Sequence, residues 1–322
     1  MTAGSGSLRR LRFDTLAPMQ TLLMTSTESI SRDTAERRRG VTIALALAAV
    51  YLVWGSTYYA MRVALGGFPP LLMGGVRFTL AGTLLYAALR ARGAASPTRG
   101  QWARSALVGV MLLAFGNGGV AMAEQWVASG LAAVMIASVP LWAALFGGLF
   151  GRWPTRRELV GLAIGASGVL VLNLGGGLSA SPRGAALLLG ASASWALGSV
   201  WSRRLDLPSG LMASAAQMIG GGAVLLVTSL ARGDRPTLTS AEPVIAVGYL
   251  VLFGSIVAYS AYGYLLRTVS PALATSYAFV NPVVAVILGV SLGSERIGWT
   301  AVGAMAVILA GVALVVLKPR AR

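Results

Sequence analysis

The sequence contains no cysteine, no histidine and little charge of either sign. Without cysteine there is no disulfide framework, no thiol nucleophile, and no iron–sulfur or cysteine-ligated zinc site. Without histidine, no His-containing triad and no usual zinc site can be built. Charged residues make up only 11% of the chain, whereas an ordinary soluble domain carries about 25%. Hydrophobic residues fill 56% of it and the mean hydropathy is +0.74. A length of 322 residues would suggest roughly two soluble domains, but a chain this poor in solvating charge is not a soluble globular protein.

What is present is a series of long uncharged runs. A membrane-spanning helix needs about 20 mainly apolar residues. Runs of that kind lie at 41–61, 105–123, 125–151, 159–182, 184–202, 207–231, 243–266, 268–294 and 297–317. One more, 71–89, is interrupted only by Arg77. The pattern predicts an all-α integral membrane protein with ten transmembrane helices. Buried helices of a soluble α-protein are amphipathic and flanked by charge-rich loops, and these are not.

The 26 basic residues against 10 acidic ones give a net charge of +16. In a soluble chain that excess would suggest nucleic acid. Here it is spread over short loops. With the N-terminus in the cytoplasm, twenty Lys and Arg fall on the cytoplasmic side, among them Arg37-Arg38-Arg39, Arg152, Arg203 and Arg204. Only Arg183, Arg232, Arg235 and Arg296 fall outside. That asymmetry places both termini in the cytoplasm and removes the nucleic-acid reading. Residues 1–40 are polar, hold no apolar stretch long enough for a signal peptide, and are expected to be a disordered cytoplasmic tail whose Arg cluster anchors the first span.

The chain repeats itself. Trp54-Gly55-Ser56 followed by Arg62 is matched by Trp195, Gly198-Ser199 and Arg203, with the same Trp-to-Arg spacing of eight. Phe115-Gly116-Asn117 is matched by Phe253-Gly254-Ser255, and Leu131-Ala132-Ala133 leading to Pro140 by Leu273-Ala274-Thr275 leading to Asn281-Pro282. The two halves, 41–176 and 184–317, each hold five spans. Five is odd, so the second half starts from the opposite face, and the halves form two inverted five-helix repeats. Such halves can rock about a central site, the device of a transporter.

Several runs then resemble a known family. Trp54-Gly55-Ser56-Thr57-Tyr58, Gly75-Val76-Arg77-Phe78, Gly116-Asn117-Gly118 and Ser129-Gly130-Leu131-Ala132-Ala133 are similar to the drug/metabolite transporter superfamily, in particular its ten-helix EamA-domain exporters. The run Ser270-Pro271-Ala272-Leu273-Ala274-Thr275-Ser276-Tyr277, continuing to Val280-Asn281-Pro282-Val283-Val284, resembles the YedA-type subgroup. The similarity covers about 41–317. It implies a ten-helix bundle in the bacterial inner (plasma) membrane that exports small metabolites or drugs. One departure stands out. Members often end the fourth and ninth spans with Gly-Glu. Glu295 keeps that pattern, but the first half reads Gly151-Arg152-Trp153, so a mechanism with symmetric acids is not expected.

Candidate site residues follow from polarity inside spans. Arg77 is the one charge deep in an apolar run, which is costly and by default functional; the alternative is an arginine snorkelling to the outer interface. It shares a helical stripe with Gly74, Ala81 and Ala88. Its place in the second half falls close to neutral Gln217, an asymmetry that suits an anionic or zwitterionic substrate. Asn117 and Asn281 are polar amides within or near spans and need partners. Pro140 and Pro282 are candidate hinge or kink positions. Trp54, Trp195, Tyr259, Tyr262 and Tyr277 are candidates for a greasy, adaptable cavity wall, as is Tyr58, although Tyr58, Tyr59 and Tyr264 also suit the interface belt. Glu124 reads first as an interfacial charge in water, and is the best remaining candidate for ion coupling. Gly161, Gly165 and Gly168, and Gly147 with Gly151, are spaced for close helix packing; no strand precedes them and no Lys follows, so they are not a phosphate loop.

The expected function is secondary-active export of small amino-acid-like or amphipathic compounds by alternating access. The expected substrate-binding set is Trp54, Arg77, Asn117, Trp195, Tyr259, Tyr277 and Asn281. The alternative within transport is import or exchange of sugars or phosphorylated metabolites, which should need several intramembrane bases. An intramembrane enzyme would need a nucleophile with its base, paired Asp or a metal, and no span supplies them. A scaffold would leave the inverted repeat unexplained. No cofactor, metal or catalytic group is expected. The partners are a small-molecule substrate and the lipid bilayer, with no nucleic acid, and the oligomeric state is left open between monomer and homodimer.

Overall fold

Long apolar runs without interior breakers become helices because a helix pairs its own N–H and C=O groups, which lipid cannot do. The structure, a computed structural model, describes residues 16–123, 125, 136–173, 182–281, 283, 284, 287 and 299–316. Among these the regular structure is all helical, with no strand. The helices are α1 (Leu16–Leu65), α2 (Pro70–Ala91), α3 (Arg99–Gly109), α4 (Gly118–Ala123), α5 (Val139–Leu149), α6 (Arg156–Asn173), α7 (Pro182–Trp201), α8 (Leu211–Ala231), α9 (Glu242–Tyr249), α10 (Ala258–Thr268), α11 (Pro271–Thr275) and α12 (Trp299–Val316). Two π-helical stretches, Val110–Asn117 and Leu250–Val257, join α3 to α4 and α9 to α10.

Six helical stretches among the described residues are long and apolar enough to cross a membrane: Glu36–Leu65, Pro70–Ala91, Arg99–Ala123, Pro182–Arg204, Leu211–Ala231 and Glu242–Thr268. They coincide with six of the expected spans. Val139–Leu149 and Val302–Val315 are shorter apolar helices. The expected spans at 125–151 and 268–294 lie partly outside the described residues.

Local sequence sets the ends. Pro70 opens α2 where its missing N–H costs nothing. Thr98 and Gln101 form a reciprocal capping box at α3. Ser270 caps α11, followed by Pro271. Gly151 follows α5 with φ of +80°, a left-handed turn with open space where a Cβ would be. It is therefore a turn glycine, not the packing glycine its spacing suggested.

The chain divides into two compact units, Met1–Leu45 and Ala46–Arg322. The first is helical from Leu16, where the composition reads as a disordered tail. Pro18 falls in the first turn, and Gly40 is the one glycine of 16–40, so no breaker stands inside. Thr42 Oγ1 donates to the carbonyl of Arg38 one turn back.

The second unit carries everything that follows. Within it α2 and α8 touch backbone to backbone. A Cβ on Gly75 would lie 2.7 Å from Leu226 Cα, one on Gly82 2.8 Å from Ile219 N, and one on Gly222 2.5 Å from Thr79 N. In lipid the gain comes from van der Waals contact at close approach, since tails are as apolar as leucine. Gly161, Gly165 and Gly168 do the same for α6, facing Gly311, Phe279 and Ile308. Leu162, Phe279, Ile308 and Val312 form the core there.

Candidate functional site

A cavity of about 80 Å³ opens among α1, α2, α7, α10 and the first π-helical stretch. Trp54, Arg77, Asn117, Trp195, Tyr259, Tyr277 and Asn281, the seven residues expected from sequence, all line it. They come from six separate stretches of chain, so their convergence is a property of the fold. Glu124 and Pro282 lie outside the described residues. Pro140 is buried, one residue past the cavity-lining Val139. The helix is interrupted at 137 and 138, and Pro140 is the second residue of α5. Tyr59 is exposed, as an interface aromatic should be.

Arg77 does not snorkel. It is 2% exposed, on the stripe of α2 that also buries Gly74 and Ala81, while Ala88 is exposed. Its Nε donates to Ser255 Oγ at 2.8 Å, and its guanidinium carbon sits 4.7 Å from the centre of the Phe78 ring. A Cβ on Gly254 would come within 2.7 Å of Nη2, so the bare backbone of that glycine makes room for the fork. Among the described residues the one salt bridge is Arg104–Asp206, at the surface. Arg77 has no acidic partner there, and no described residue of the cavity wall is acidic. A buried guanidinium without a counter-ion is held at a cost that a bound anion relieves.

Five aromatic contacts join the wall residues Trp54, Trp195 and Tyr277 with Tyr262 behind them. Trp54 stands 4.6 Å from Tyr277, 5.2 Å from Tyr262 and 5.7 Å from Trp195, measured between ring centres. Tyr262 stands 5.7 Å from Trp195 and 5.5 Å from Tyr277. Edge and tilted pairs of this kind add about 0.5–1.5 kcal/mol each beyond burial. Their polar tips are satisfied: Trp54 Nε1 donates to the Gly254 carbonyl at 2.9 Å, Trp195 Nε1 to Tyr262 Oη at 3.1 Å, and Tyr262 shares a 2.7 Å bond with Ser199. Tyr259 donates to Gln217 Oε1 at 2.8 Å, which occupies the residue standing in the second half near the place of Arg77.

The two halves answer each other. Ser194 of α7 donates to the Met111 carbonyl in the first π-helical stretch at 2.9 Å. Trp54 of α1 donates to the Gly254 carbonyl in the second. Trp195 packs on Gly116, where a Cβ would meet its ring at 2.8 Å. A wider helical turn releases carbonyls from the regular ladder, and such stretches gather at functional sites. Sequence reasoning left out Ser255, the partner of Arg77, and weighed Tyr262 only among the aromatics. The signal for Ser255 was present: it stands third in Phe253-Gly254-Ser255, where Asn117 stands in the first half.

The chain matches the EamA-like transporter family twice, over residues 41–174 and 182–317. It is 52% identical over 277 residues to "Uncharacterized inner membrane transporter YedA" of Escherichia coli (strain K12), covering 84% of this chain and 90% of that one. It is 25% identical over 293 residues to "Uncharacterized transporter YvbV" of Bacillus subtilis (strain 168), covering 87% and 93%. A solved crystal structure superposes with a TM-score of 0.73 at 21% identity, over 86% of this chain and 96% of that one. That likeness speaks for the fold.

Proposed function

The chain belongs to the EamA-like transporter family, and we propose that it is a secondary-active exporter of small, amino-acid-like or amphipathic metabolites or drugs, resident in the inner membrane. Ten spans are arranged as two inverted repeats, 41–176 and 184–317, with both termini cytoplasmic. The halves rock about the central cavity to expose it to either face. No nucleotide-binding motif is present, so an ion gradient or exchange drives the cycle.

One observation carries this reading: the sole buried charge among the cavity's described residues, Arg77, is held by Ser255 of the other half and has no acidic partner there. The guanidinium then receives a substrate carboxylate or similar anion, while the aromatic wall takes the apolar body. The volume supports a compact ligand, since drug-sized ligands occupy pockets of about 300–1,000 Å³. In the proposed orientation Met61, Val120 and Ala191 lie toward the outer face and the Trp54–Tyr262–Tyr277 cluster lies toward the cytoplasm, so this cavity is the outward-facing one.

The test is efflux from cells loaded with a labelled panel of amino acids and cationic dyes, with and without an uncoupler, against an Arg77→Ala control of matched abundance. Efflux of a carboxylate-bearing compound that needs both Arg77 and the gradient supports the exporter. Equal efflux in both proteins removes Arg77 from the site. Movement of the dyes alone contradicts the anion assignment.

A further inference from the structure

Asn281 is 3% exposed and lines the cavity, and its Oδ1 has no hydrogen-bond partner among the described residues. Of the five buried side-chain polar atoms in that condition, it alone belongs to a cavity-lining residue; the others sit on Thr79, Ser105, Arg203 and Ser260. An amide oxygen accepts two donors, and a buried acceptor left empty is unfavourable enough that native proteins seldom keep one.

The described wall does not fill it. Trp54 Nε1, Trp195 Nε1 and the Tyr259 hydroxyl are already engaged with Gly254, Tyr262 and Gln217. The guanidinium of Arg77 carries a charge that calls for an anion. One cavity thus holds a cation wanting an acceptor and an acceptor wanting a donor. A ligand satisfies both when it bears an anionic group together with an N–H or O–H.

We propose that Asn281 is the specificity-determining residue of this site: it reads a hydrogen-bond donor on the substrate and turns away isosteres that lack one. This rests on the exporter reading and adds to it. Sites built to hydrogen-bond a substrate discriminate far more strongly than sites that measure size, because the wrong ligand buries the protein's own polar group unpaired. Arg77 sets affinity for the anionic end of every ligand alike, and Asn281 ranks ligands by what the other end offers.

The test uses the full chain in proteoliposomes and two matched pairs of labelled probes. One pair is 2-aminobutyrate and its N,N,N-trimethyl analogue, which keeps the charge and removes the donors. The other is 2-hydroxybutyrate and 2-methylbutyrate. Counterflow gives a donor-to-donorless ratio for each pair. The wild type is expected to favour the donor-bearing member at least tenfold in one pair or both. Asn281→Leu brings the ratio close to one by lowering the donor-bearing member, whereas Arg77→Ala lowers both members and leaves the ratio. Asn281→Ala also removes the acceptor, is expected to bring the ratio toward one, and serves if the leucine variant does not accumulate. A ratio near one in the wild type, or a ratio left unchanged by whichever of Asn281→Leu and Asn281→Ala accumulates, overturns the proposal while the exporter reading stands. No movement of any probe by the wild type defeats the exporter reading, and the proposal falls with it.

Discussion

Arg77 shows how much one residue can disclose. A single charge in an otherwise apolar run is visible in the sequence because hydropathy makes it expensive. Its partner was not visible, because a serine is nearly neutral in a span and signals nothing until the fold brings Ser255 to 2.8 Å. The two predict different results. Arg77→Ala is expected to lower efflux at least tenfold at unchanged abundance. Arg77→Lys keeps the charge without the planar fork and is expected to fall between, read as initial rates at matched expression. Ser255→Ala leaves Nε buried without its acceptor. That should cost about 1–3 kcal/mol of stability, seen as a lower unfolding midpoint in detergent, and should also weaken transport because the guanidinium loses its aim.

At the scale of elements, long apolar runs were legible because roughly twenty residues agree with one another, and six of them appear as helices. The π-helical stretches were not legible. They differ from α-helix by one extra residue per turn, a change to which composition is indifferent. Yet they sit at Phe-Gly in both halves and supply the carbonyls that Ser194 and Trp54 grasp. The helix over 16–40 was missed for the opposite reason: a polar composition says little once no breaker is present. Packing of α2 on α8 depends on glycine at backbone contact. Gly222→Ala is therefore expected to destabilise by about 1–3 kcal/mol through overpacking, measured as a loss of folded protein on heating in detergent, without altering which substrates are chosen. Gly254→Ala would press on Arg77 Nη2 and Thr57 instead. It should cut transport more than it lowers the unfolding midpoint.

For the whole molecule the internal repeat was the most informative reading. No single match of Trp54 with Trp195 or of Gly116 with Gly254 carries weight, but their common order does. The structure gives them a shared purpose, since the first helix of each half reaches the π-helical stretch of the other. Which seven residues would meet could be guessed from polarity and repeat position. How they meet depends on side-chain geometry no sequence pattern encodes. The proposed alternation of access belongs to this scale, and the absence of native cysteine makes it directly measurable. A Val120→Cys variant places one thiol on the cavity wall. Its reaction with a membrane-impermeant maleimide, followed from each face of sealed vesicles, tests the central claim most directly. The account predicts labelling from the outer face in the empty protein, and a shift toward labelling from the cytoplasmic face when substrate is supplied there. Labelling from one face alone under every condition would contradict it.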